Sequence, residues 1–73
     1  MKTIYAVYDG HPECIGAFAS FTSAYNAAMN IICDIARAND YTDEEFQEAV
    51  EELNNCNLVD GICEIEPMEF FED

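Results

Sequence analysis

The chain has 73 residues, with sixteen acidic residues against two basic ones and a formal net charge of −14. Two cations cannot hold a phosphate backbone, which excludes direct nucleic-acid binding; no apolar run approaches the ~18 residues of a membrane span, which excludes that membrane role. With 51% hydrophobic residues, four Tyr and five Phe, the chain can build a core, so it reads as one folded domain, residues 1–73, and not as a disordered acidic tail.

Residues 3–8, Thr-Ile-Tyr-Ala-Val-Tyr, are rich in β-branched and aromatic types and predict a strand. Asp9-Gly10-His11-Pro12-Glu13 is turn chemistry, and residues 14–19 read as a second strand. Together they predict a hairpin over 3–19.

Ser20 or Thr22 is placed to cap a helix over 21–38. Its apolar residues, among them Phe21, Ala24, Tyr25, Ala28, Met29, Ile32 and Ile35, make a wide face of helical period. The polar stripe is narrow, so this helix should be covered by the sheet on one side and another helix beside it.

Thr42-Asp43-Glu44-Glu45 fits a capping box and opens a second, acidic helix over 43–55. Phe46, Ala49, Val50 and Leu53 stand at i, i+3, i+4 and i+7, which is one clean apolar face. Asn54-Asn55-Cys56-Asn57 should end it, because Asn tolerates left-handed geometry.

The remainder, 58–73, reads as a strand and an acidic tail. Asp60-Gly61 is a turn, and residues 62–66 predict a third strand. Pro67 argues against that strand being central along its whole length. The tail from Met68 to Asp73 is apolar and acidic together, and it extends the strand, docks as a peptide or frays. The order ββααβ predicts an α+β fold: a three-stranded antiparallel sheet with two helices packed on one face and the last strand beside the first. The other sheet face would be open to a homodimer or a partner.

Charge is distributed unevenly along these elements. Lys2 and Arg37 are the only cations, and only Asp9, Glu13 and Asp34 precede Ala38, which leaves thirteen of the sixteen acids after it. A folded surface normally mixes both signs, because like charges held close repel. In the second helix Glu44, Glu48, Glu51 and Glu52 fall opposite the apolar face, with Asp43 and Glu45 at its start. Glu44/Glu48 and Glu48/Glu52 are i, i+4 like-charge pairs, each costing a few tenths of a kcal/mol. Glu51 and Glu52 also lie where the helix dipole opposes them. An i, i+4 step rises about 6 Å, comparable to the spacing of successive phosphates along a nucleic-acid strand. Such a ridge suits a groove lined with Lys and Arg. Glu64, Glu66, Glu69, Glu72 and Asp73 would widen it into a patch. Binding would be electrostatically steered and weakened by salt. The competing reading is a solvated acidic face that only maintains solubility, with an adaptor or homodimeric subunit docking through its apolar sheet face and Met68, Phe70 and Phe71.

Other chemistry is thinly represented. Cys14, Cys33, Cys56 and Cys63 show no C-x-x-C pair, and the single His11 stands three residues from Cys14, so no zinc site is expected. The N-terminus carries no secretory pattern, and the expected compartment is a reducing cytoplasm in which buried or half-buried thiols stay free. No calcium loop is present, since Asp40-Tyr41-Thr42-Asp43-Glu44 lacks the required Gly. Gly10, Gly16 and Gly61 are isolated and build no phosphate loop. A His11–Cys14 nucleophile pair is the one enzymatic alternative, and a His between Gly and Pro reads better as loop. The expectation is therefore a non-enzymatic protein with no catalytic residue, cofactor or metal.

The cation-free stretch from Asn39 to Asp73 and the ridge Glu44-Glu45-x-x-Glu48-x-x-Glu51-Glu52 carry a resemblance of character. The chain resembles the small, strongly acidic proteins of phages and mobile elements, including anti-CRISPR proteins and inhibitors of DNA-binding proteins, many of which are nucleic-acid mimics. The resemblance implies an inhibitor in the host cytosol that occupies the nucleic-acid-binding surface of a Cas effector or other host defence protein.

Overall fold

The computed structural model describes residues 2–10 and 13–70. His11, Pro12 and the end of the acidic tail, including Phe71, Glu72 and Asp73, lie outside the described residues. The elements are β1 (Lys2–Asp9), β2 (Cys14–Phe18), α1 (Phe21–Ala38), α2 (Asp43–Cys56), β3 (Leu58–Val59) and β4 (Cys63–Phe70). The fold is α+β, and every strand pairing is antiparallel.

The sheet has four strands, in the order β2-β1-β4-β3, where three were expected. The added strand follows from the end of α2. Asn57 closes that helix with φ 56° and turns the chain back sharply. Leu58 and Val59 then emerge alongside β4, opposite Glu64 and Cys63. The Asp60-Gly61 turn, with Gly61 at φ 77°, is closed by the Ile62 N–H donating to the Val59 carbonyl at 2.9 Å. Two residues are too few to announce a strand by alternation. The last strand also runs to Phe70, so the tail extends it that far.

Pro67 pairs with Tyr5 of β1, beyond the two residues that β3 covers. There β4 has one neighbour only, as a proline tolerates.

Side chains on a strand alternate between faces. Val7, Val59, Cys63 and Ile65 enter the core, where they meet Ala24, Ala28 and Ile32 of α1 and Ala49 and Leu53 of α2. Tyr5 and Phe18, opposite each other on β1 and β2, line the same side. Both helices thus cover one sheet face. Small alanines on α1 allow close approach to the sheet, and Ile32 fills the centre of the core with no exposed surface. Phe21 bridges to the sheet through an edge-on contact with Tyr5, ring centroids 5.6 Å apart.

Both helix starts follow the local rules. The Ser20 hydroxyl accepts from the Ser23 N–H at 3.2 Å. Thr42 and Glu45 form the full capping box. Among the described residues, no helix is long and apolar enough to cross a membrane.

Candidate interaction surfaces

The apolar face of α2 is anchored by Ala49 and Leu53, with Phe46 packed at its edge. Helical period then sends Glu44, Glu48, Glu51 and Glu52 outward, and all four are exposed. No Lys or Arg follows Arg37, so the ridge has no cation of its own half of the chain to answer it. Glu48, Glu51 and Glu52 border a shallow hollow of about 290 Å³ with Asn55 and Cys56. On the other flank, Glu45, Glu48 and Glu52 border a second hollow of about 230 Å³, closed by Tyr41 and Asp60.

Asp60 therefore joins the carboxylates of α2, although nothing in the helix pattern includes it. Its signal was the turn dipeptide that follows β3, which brings Asp60 onto the same hollow as Glu52. Glu45 is the ridge member with a structural task. Its Oε1 accepts from the Thr42 N–H at 3.0 Å, so part of its carboxylate is committed to the cap.

The remaining expected contacts lie elsewhere. Glu64 and Glu66 alternate with the core residues Cys63 and Ile65, and stand opposite Tyr8 and Ala6. Their side chains therefore leave the sheet on the face away from the helices. Glu69 is exposed opposite Thr3, near the end of the β1–β4 ribbon. The eight expected contacts are divided between the outer side of α2, the helix-free sheet face and the ribbon end. They do not form one patch.

On the helix-free face, Tyr8 stands among acids. Its hydroxyl is raised above its ordinary pKa of 10.0, first by the charge of Glu66, then by burial, with Cys14 and Glu64 adding and a hydrogen bond to Glu66 in the same direction. A hollow of about 420 Å³ opens beside it, lined by Tyr8, Leu58, Glu64 and Glu66 and floored by the Gly10 and Gly61 turns.

The four cysteines are free. Cys63 is buried and Cys33 half-buried, as expected of small apolar thiols. Cys14 and Cys56 are exposed, because each sits at an element end. Burial pushes the Cys63 thiol up to about 11. Among the described residues, no group of three or more His, Cys, Asp or Glu is arranged to hold a metal ion. The chain matches no protein family, no curated protein and no solved structure.

Proposed function

We propose that the protein is a non-enzymatic inhibitor whose α2 ridge takes the place of nucleic-acid phosphates on a basic nucleic-acid-binding protein. The observation that carries this reading is the joint exposure of Glu44, Glu48, Glu51 and Glu52 on one capped helix, in a half-chain without Lys or Arg. A helix holds its carboxylates at fixed intervals, about 6 Å per i, i+4 step. A groove that binds phosphates at comparable intervals meets them without reordering either partner. Like-charge pairs and the opposing dipole at Glu51 and Glu52 cost the free protein stability, and an electropositive partner relieves both. Asp60 adds a carboxylate at the C-terminal flank of the ridge. The fitting partners are proteins that grip DNA or RNA, such as a Cas effector or another host defence protein, and the inhibitor acts in the cytoplasm where they work.

The test is affinity capture from a bacterial lysate at low and at high salt, run in parallel with a variant in which Glu48, Glu51 and Glu52 are replaced by Gln. The expected result is recovery of a nucleic-acid-binding protein by the wild type at low salt only, and by the variant not at all. Capture that survives high salt, or that is indifferent to the three substitutions, rejects the reading. A second reading, an adaptor docking through apolar surface, draws on the exposure of Met68 and Leu58, at 42% and 43%. Salt-resistant capture is the outcome it expects.

A further inference from the structure

The helix-free face of the sheet has a composition that the α2 ridge does not explain. Across its widest row stand Cys14, Tyr8, Glu64 and Leu58, one from each strand. The next row holds Ala17, Ala6 and Glu66, and beyond it stand Ile4 and Met68. Ala6 is only 2% exposed although no helix covers it, so its neighbours already close over the centre of this face. Leu58 and Met68 stay open at opposite corners. The face is thus an apolar surface with two carboxylates set in its middle, and among the described side chains these are its only formal charges.

We propose that this face is a second docking surface, distinct from the α2 ridge, and that its occupant is an amphipathic helix of a partner protein carrying Lys or Arg beside its apolar stripe. Charge selects this occupant. A second copy of the chain would bring Glu64 and Glu66 against the same pair of a molecule that also carries −14, and like charges opposed in an interface are strongly unfavourable. A purely apolar partner would strip water from both carboxylates and return nothing. A cation reaching between Glu64 and Glu66 pairs both, and the surrounding apolar residues take the rest of its helix. Tyr8 stands opposite Glu64 in the same row, beside both carboxylates.

The dimensions agree. At the Tyr8 row three inter-strand spacings of about 4.8 Å give about 14 Å, enough for one helix of ~10–12 Å diameter, and the face narrows to β1 and β4 alone at Ile4 and Met68. From Ile4 to Tyr8 the strand advances about 13 Å, which is between two and three helical turns. The opposite face of the same sheet already receives helices, α1 and α2.

The probe is a synthetic amphipathic helical peptide of Leu and Lys, with a twin in which each Lys is replaced by Glu. Binding to the full chain is measured by calorimetry and located by amide chemical-shift changes. The Lys peptide should bind, the Glu twin should not, and the largest shifts should fall on Ala6, Tyr8, Glu64, Glu66 and Met68. Replacing both Glu64 and Glu66 by Gln should weaken binding by about tenfold or more, the loss of charge-assisted contacts. Met68→Ser should weaken it independently. Both variants are checked for unchanged thermal unfolding; Tyr8→Phe, which keeps the ring and the fold, serves as a further probe and should weaken binding modestly. Shifts centred on α2, or an affinity reduced by the Glu48, Glu51 and Glu52 substitutions and unmoved by those at Glu64, Glu66 and Met68, would overturn the proposal without touching the ridge hypothesis. So would sedimentation showing a dimer in which this face is covered by a second copy.

Discussion

Thr42 and Glu45 each satisfy the other's backbone: the Thr42 N–H donates to Glu45 Oε1 at 3.0 Å, and the Glu45 N–H donates to Thr42 Oγ1 at 3.2 Å. The ridge of α2 begins on this pair, so its loss would fray the first turn, where Asp43, Glu44 and Glu45 stand. Thr42→Ala should cost about 1 kcal/mol in denaturant unfolding. Glu45→Gln should cost almost nothing, because a Gln oxygen accepts the same hydrogen bond. Glu45→Ala should cost more than Glu45→Gln. Equal losses for the two would show that the reciprocal hydrogen bond contributes nothing.

Glu48 stands one turn from both Glu44 and Glu52, so it belongs to two like-charge pairs. Glu48→Gln should therefore stabilise the protein by about 0.5 kcal/mol at low ionic strength. The gain should shrink as salt screens the pairs. Thermal unfolding of wild type and variant at two salt concentrations measures this directly. A variant less stable than the wild type at low salt would mean that Glu48 makes a stabilising contact instead of suffering repulsion.

Much of this architecture is written locally. The capping box at Thr42, the alternation in β1 and the i, i+3, i+4, i+7 face of α2 each depend on neighbours within a few residues, and each element formed where its pattern lies. The two-residue strand β3 is different: it exists only because β4 lies beside it, and no pattern two residues long can announce that. The proximity of Asp60 to Glu52 is likewise a product of the chain folding back. The separation of Glu64 and Glu66 from the ridge was legible, by contrast. Cys63-Glu64-Ile65-Glu66 alternates apolar with acidic, and a strand with that pattern must send its acids away from the core. Extending the acidic patch across it overlooked the face on which a strand displays its charges.

Cys63 links stability to alkaline pH. Its thiol has an ordinary pKa of 9.0, which burial raises to about 11 in the fold. Between those values the unfolded chain gives up the proton while the folded chain keeps it. Unfolding then releases a proton, so stability is whole below pH 9.0 and falls as pH rises towards about 11. The loss is on the order of 2–3 kcal/mol at most. Cys63→Ala should lower stability at neutral pH, through the lost sulfur volume, yet flatten the decline above pH 9.0. An equally steep decline in the variant would place the titrating group elsewhere. In the wild type, a thiol reagent should modify exposed Cys14 and Cys56 first, and Cys63 only as the core opens.

Gly10 packs against the turn that follows β3, and a Cβ there would overlap the Gly61 carbonyl. The obstacle is backbone, which cannot swing aside as a side chain would. Gly61 itself holds φ 77°, a left-handed conformation that resists adjustment, with open space where its own Cβ would be. The two glycines therefore fail in different ways. Gly10→Ala should destabilise by about 1–3 kcal/mol through overpacking, and it should shift the amides of Asp60, Gly61 and Ile62 as the turn is displaced. Gly61→Ala should cost about 1 kcal/mol through backbone strain alone. Gly61→Asn should recover part of that cost, since Asn tolerates left-handed φ. Because both turns floor the hollow beside Tyr8, Gly10→Ala should also perturb the amides of Tyr8 and Glu64. If Gly10→Ala leaves stability and those amides unchanged, the two turns are not in close contact.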